Sequence, residues 1–238
     1  MIHTGVGMRL LVLLVMMTAA QVFAQDIETG DALFDEGDYA GAVTAYQQAF
    51  DANSRDEGGD GVALYKLADA KVYEAGQMEG DAAKALYSEA VDAAKEAVEL
   101  VPDDLEAHMA LVRAWGRLAQ FQGVLESLNL ATLMKQEMDL ILERDPNHDG
   151  ALHALALWHL NVPWIFGGRQ EKVRELFEQA IAVQPTVLHY LEYGESLITL
   201  GDPAAARVQL EQAVALPAPT AADRDEQTRA QALLDSGF

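Results

Sequence analysis

The chain has 238 residues, half of them apolar, with a formal charge of −22 and no cysteine. That length supports a sizeable core in one extended domain or two small ones. The charge argues against nucleic acid and against an anionic membrane face as partners, and the missing cysteines exclude disulfides, thiolate zinc sites and a cysteine nucleophile.

The first residues read as a targeting segment. Arg9 supplies a short positive region, Leu10 to Met17 is an unbroken apolar run, and Val22-Phe23-Ala24 places small or modest residues before a cleavage point. The reading is a signal peptide over residues 1–24, cut between Ala24 and Gln25, because Leu10 to Ala24 is short against the ~20 residues of a membrane span. Cleavage removes Arg9 and no acid, which leaves −23 on residues 25–238. An exported, periplasmic protein with no span after cleavage is expected. Its acidity reads either as attraction for a basic partner or as plain solubility; the scatter of acids over helix faces favours solubility.

Residues 26–54 open the organised part. Gly30, Leu33, Gly37-Asp38-Tyr39, Ala42, Tyr46 and Ala49 follow the tetratricopeptide order of a small residue, an apolar residue, a turn, then alanine, an aromatic and alanine. Two antiparallel helices approach closely where small residues sit at the crossing, and the aromatic fills the hole beside them. A second unit runs from Asp60 to Pro102. Leu64, Leu67 and Ala68 mark its first helix and Ala90, Ala94, Ala97 and Leu100 its second. Gln77 to Lys84 reads as a lengthened connection, while Tyr87, Val91 and Val98 extend the second helix upstream.

The third unit, Asp103 to Pro146, carries His108, Leu111, Trp115 and Leu118, then Leu130, Met134, Met138 and Ile141. The fourth, Asn147 to Pro185, carries Leu152, Leu155, Ala156 and His159, then Leu176, Phe177, Ala180 and Ile181. Prolines 102, 146 and 185 are spaced 44 and 39 apart, against a usual period of about 34. Gly194 to Leu216 is the regular unit: a helix, a Gly-Asp-Pro turn and a second helix, with Gly194 and Ala206 small at the crossing. Thr220 caps a last helix, Ala221 to Leu234, whose charged face suits the end of an array. The fold expected is all-α, a tetratricopeptide-like α-solenoid of about five helix pairs plus a C-terminal capping helix.

The chain also resembles the regulator-of-microtubule-dynamics family of tetratricopeptide proteins. The residues that carry the likeness are Tyr87, Ala90, Lys95, Ala97, His108, Asp145-Pro146, His153, Trp158 and Pro163-Trp164. The tail adds Leu200, Ala205, Pro217, Asp225 to Thr228 and Leu233-Leu234. More distantly it is similar to the helical-repeat T-component of periplasmic TRAP-type transporters. The family resemblance implies a helical repeat fold and an adaptor role. The chain departs from it where Ile165-Phe166-Gly167-Gly168 directly follows Trp164, in place of a longer linker, and in carrying a signal peptide.

No catalytic or metal signature stands out, and no cofactor is expected. His153 and His159 are six apart, whereas a helical zinc pair is four apart. The acidic clusters Asp56 to Asp60 and Glu79 to Asp81 lack calcium-loop spacing. The histidines read as structural groups bonded across helix pairs. In a solenoid the first helix of each unit lines the inner face. Counting from the small residues, that lining is Tyr65, Asp69, Val72 and Tyr73, then Met109, Arg113 and Arg117, then His153, Leu157 and Leu160, then Leu191, Glu195 and Ile198. Arg113 and Arg117 are i and i+4 and share a face. They read either as a clamp for a carboxylate or as partners of Asp69 or Glu106. The Trp164 loop reads either as an apolar lip over the groove or as a plug beneath it. The function expected is a non-enzymatic scaffold holding a peptide or partner protein; the alternative is a carrier of a lipid or small organic acid.

Overall fold

The computed structural model describes residues 26–52 and 59–238. The expected signal segment lies outside them. The described residues are helical throughout, with no strand among them. They form two compact units divided at Ala107 and His108, with Asp35–Gly37, the end of the first helix and the turn after it, grouped with the second.

Unit 1 holds α1 (residues 26–36), α2 (Tyr39–Ala52), α3 (Gly59–Gly76) and α4 (Gly80–Leu100). Gly30 packs against the Tyr46 ring so closely that a Cβ there would stand 2.4 Å from Cε1. The Tyr46 hydroxyl donates to Asp31 at 2.6 Å, and Lys66 reaches the same oxygen at 2.7 Å. Phe34, Tyr39 and Tyr73 form an aromatic trio with centroids 4.9–5.2 Å apart. Ala83, Ala90, Ala93, Ala94 and Ala97 line the buried side of α4, where small side chains let α3 approach.

The expected long connection in this unit is in fact helix. Only Gln77–Glu79 separate α3 from α4, and Glu79 to Asp81 is a helix start rather than a loop. The extra residues lengthen α4 to 21 residues, about 31 Å at 1.5 Å per residue. Asp81 to Ala85 are mostly strong helix formers, and Ala83 is fully buried, so the added turn has packing of its own. The third repeat is built the same way: α6 also has 21 residues.

Unit 2 continues with α5 (Leu105–Leu118), whose first three residues belong to unit 1, and a 3-10 turn at Ala119–Phe121. Then come α6 (Val124–Arg144) and α7 (Asp149–Asn161). Two 3-10 turns, Trp164–Phe166 and Gln170–Lys172, lead to α8 (Val173–Val183), so the fourth unit does have a long inner connection. After it stand α9 (Val187–Thr199), α10 (Pro203–Ala215) and α11 (Ala221–Ser236).

The core of this half centres on Ala156, Val173, Phe177, Tyr193, Leu197 and Ala206. A second cluster joins Val187, Leu191, Leu210, Ala213 and Ala230. Gly194 takes the Leu210 side chain: a Cβ there would lie 2.7 Å from Leu210 Cγ and 3.4 Å from the Ala206 carbonyl. Asp202 caps α10 by accepting from the Ala205 N–H, after Gly201 turns the chain at φ +77°. Thr220 and Asp223 form a capping box at the start of α11. Gln227 on α11 donates to the carbonyls of Ala213, Val214 and Leu216, which satisfies the end of α10. The regular repeat, the cap and the all-α repeat class are as the sequence predicts.

Candidate functional site

The first helices of the repeats in unit 2 are α5, α7 and α9, and the capping helix α11 packs on α9 and α10. Along them the side chains form a charged row. His153 on α7 donates from Nε2 to Glu192 Oε2 on α9 at 2.5 Å. The His153 ring meets that of His189 edge-on, with centroids 4.9 Å apart, and lies 5.4 Å from Phe177. His189 donates from Nδ1 to the Gln184 carbonyl at 2.8 Å, while its Nε2 stands 3.6 Å from Asp149. One turn along α9, Glu195 is gripped by Arg229 of α11, with Nη2 at 2.6 Å.

Burial and charge set the proton affinities of this row. Burial alone would raise the Glu192 carboxyl, but the His153 hydrogen bond and charge, followed by Arg117 and Arg229, hold it below the usual carboxylate range. His189 is lowered, first by burial and then by the neighbouring His153 charge. Glu195 is raised by burial against the pull of Arg229. Glu226 on α11 is pushed up to about 7 by burial, then by the charges of Asp223 and Glu192. Arg117, Glu192, Glu195, Glu226 and Arg229 therefore form a face of both signs, suited to reading charged groups on a partner. His108 is likewise bonded across a helix pair, to Glu137 at 2.6 Å. Among the described residues no group of three or more histidines, cysteines or acids is placed to hold a metal ion.

The residues expected to line the groove fall in three places. Arg113 is half-buried, Arg117 exposed and Leu157 half-buried. His153 is buried and committed to Glu192. Met109 is only 3% exposed and meets Gly150, and Leu191 is fully buried against α10 and α11; both are core residues, as is Val72. In unit 1, Tyr65 is half-buried. Its hydroxyl is pushed up to about 12 by burial and then by Asp104 and Glu106, so it remains a donor. Tyr73 belongs to the aromatic trio. Trp164, in contrast, is 77% exposed at the end of α7.

Sequence reasoning passes over Glu192 and His189, and reads Arg229 only as part of the charged face of the capping helix. His153 and Glu192 are 39 residues apart, the same interval as Pro146 to Pro185. They hold equivalent positions in successive repeats, as does Met109 after Pro102. Aligning the repeats on their prolines is the signal that pairs them.

Among solved structures, a thermophilic tetratricopeptide protein of Thermus thermophilus superposes with a TM-score of 0.71 at 20% identity. That match covers 89% of this chain and 98% of the other, and it shows the fold. Regulator of microtubule dynamics protein 1 of Bos taurus is 25% identical over 91% of this chain and 73% of its own length. The Mus musculus protein of that name is 24% identical over 75% of this chain and 65% of its own length. The model of the family described as Regulator of microtubule dynamics protein 1-3 matches residues 26–165, more than half the chain. The chain belongs to the regulator-of-microtubule-dynamics family.

Proposed function

We propose that the protein is an exported, non-enzymatic scaffold that holds a peptide segment or a partner protein on the first-helix face of its repeats. The observation that carries this reading is the row from Arg117 through Glu192 and Glu195 to Arg229, set on a repeat fold typical of interaction scaffolds. Its buried histidines are bonded to carboxylate or carbonyl groups within the helix stack. That arrangement organises helices rather than presenting a reactive atom. Arg113 and Arg117 would meet a carboxylate of the partner.

A pull-down from envelope extracts with the full chain tests this. Arg113→Ala with Arg117→Ala should weaken recovery of a specific partner, with circular dichroism showing that the variant folds. Recovery unaffected by both changes refutes the assignment. The rival reading, a carrier of a lipid or small acid, is weakened by the burial of Met109 and the packing of Leu157 and Leu160 against the core. Native mass spectrometry distinguishes the two, because a copurifying lipid or acid supports the carrier. Export rests on residues 1–24, and N-terminal sequencing that finds Gln25 as the first residue tests it. The microtubule role in the relatives' names is not carried over, since an exported protein would meet none.

A further inference from the structure

The N-terminal half of α6 is more apolar than its packing within the chain requires. Helices α4 and α6 each have 21 residues, yet α4 buries seven of them and α6 only two, Met138 and Ile141, both in its C-terminal half. From Val124 to Leu133 no residue is buried. That stretch nevertheless carries Val124, Leu125, Leu128, Leu130 and Leu133. Val124 and Leu125 are 78% and 80% exposed.

A second apolar element stands at the same end of the α6–α7 pair. Trp164, Ile165 and Phe166 are 77%, 61% and 53% exposed. Trp158 near the end of α7 donates from Nε1 to the Ala131 carbonyl of α6 at 2.7 Å, and Gly167 rests on the same indole. The short link from Arg144 to Asp149 makes the helices antiparallel, so the loop after α7 lies toward the start of α6. The loop is held in shape. The N–H groups of Phe166 and Gly168 donate to the Pro163 carbonyl, and Arg169 Nη1 donates to the carbonyls of Gly168 at 2.9 Å and Trp164 at 3.2 Å. The patch thus has two parts, a fixed tip and the open side of a helix.

Charge around both parts cancels. Glu126, Asp139 and Glu171 stand against Lys135, Arg169 and Lys172, a balance of zero in a chain of net charge −22. Lys135 is paired with Asp139 at 2.6 Å, and Arg174, next along, with Asp202 at 2.7 Å. Copies of so acidic a chain repel one another wherever acid meets acid, and at this end they do not. A two-fold contact sets a surface against its own copy, so it excludes a patch of one sign and suits a neutral one. Area points the same way. An aromatic side chain presents ~150–250 Å², so the five exposed residues leave on the order of 500 Å² of apolar surface open. Two copies would together bury ~1,000 Å² before Leu128, Leu130, Leu133 or a polar rim is counted, which reaches the size of a specific interface.

We propose that this end of unit 2 is the contact between two copies of the chain, related by a two-fold axis. The Trp164 tip of one copy lies against the open half of α6 in the other, and the reciprocal contact closes the pair. Trp164 and Phe166 supply the aromatic anchors that interface cores favour, and the balanced charges form the rim. With knob and face in one neutral patch, the surface is its own complement. An anionic membrane finds no surplus cation here to hold it.

The test uses the full chain in sedimentation velocity and light scattering over ~1–100 μM. The expected result is a mass that rises from monomer toward dimer. Trp115 and Trp158 are buried, so a blue shift of tryptophan emission with concentration reports Trp164. Salt should strengthen the dimer, because it screens the net repulsion and leaves apolar burial in place. Trp164→Ser with Leu125→Asp should weaken association about tenfold or more and remove the shift. Both positions are exposed, and circular dichroism confirms that the variant folds. A monomer over the whole range, or a dimer that the variant leaves intact, overturns the proposal. So does a monomer that floats with phosphatidylglycerol vesicles through Trp164, which would assign the patch to a membrane. A benzophenone at Leu125 that crosslinks in cells to a different protein and never to a second copy overturns it as well.

Discussion

Gly194→Ala perturbs the regular repeat at its tightest point. The added Cβ would stand 2.7 Å from Leu210 Cγ, 2.8 Å from Cδ2 and 3.4 Å from the Ala206 carbonyl. Leu210 is fully buried among Val187, Leu191 and Ala213, so it has nowhere to swing. Overpacking of this kind costs about 1–3 kcal/mol, while alanine in a helix interior gains about 1 kcal/mol over glycine. The net expected loss is at most about 2 kcal/mol, a fall of no more than roughly 8 °C in melting temperature for a chain of this size. Leu210→Ala alone should cost about 2–5 kcal/mol through its cavity. In that background the clashing atoms are gone and only the ordinary 3.4 Å contact remains. Gly194→Ala should then be neutral or stabilising. Urea unfolding of the four proteins gives the coupling energy, expected at about 1–3 kcal/mol and favourable. Additive losses, with no coupling between the two substitutions, would refute the packing account of the repeat.

Glu226→Gln tests the electrostatics of the charged row. With a folded value of about 7 against the ordinary 4.5, the folded protein binds more protons than the unfolded one between those values, so stability falls as pH rises through that window. The full shift corresponds to about 3 kcal/mol, which solvent screening reduces to ~1 kcal/mol. The variant should therefore melt roughly 2–4 °C above wild type at pH 8 and level with it at pH 4; a difference independent of pH contradicts the assignment. Gly168→Ala should disrupt the Trp164 turn, because its Cβ would collide with the Val162 carbonyl. Faster proteolysis between Val162 and Lys172 is the expected sign, and an unchanged digestion pattern the contrary one.

The helix pairs were legible because their crossings are written in small residues. Gly30 against Tyr46 and Gly194 against Leu210 do in the structure what their spacing implies. Thr220 likewise announces α11 through a local cap that needs no tertiary contact. Length was harder to divide. Gln77 to Lys84 holds glycine and acids that suit a loop, yet Asp81 onward propagates helix once the buried alanines of α4 provide a face. Helical periodicity also does not separate an inner lining from a core, which is why Met109 and Leu191 fall inside. The His153–Glu192 bond joins different repeats, so no local window contains it. The expectation that histidines bond across helix pairs nevertheless describes both His108 and His153.

The central claim, that the first-helix face receives a partner, is tested most directly by site-specific photocrosslinking in cells. A benzophenone side chain placed at Arg117, on the first helix of its repeat, should capture a discrete partner; one at Glu211, exposed on the second helix α10, should not. Capture at Arg117 but not at Glu211 is the predicted result. Capture at Glu211 alone, or at neither position, would contradict the account.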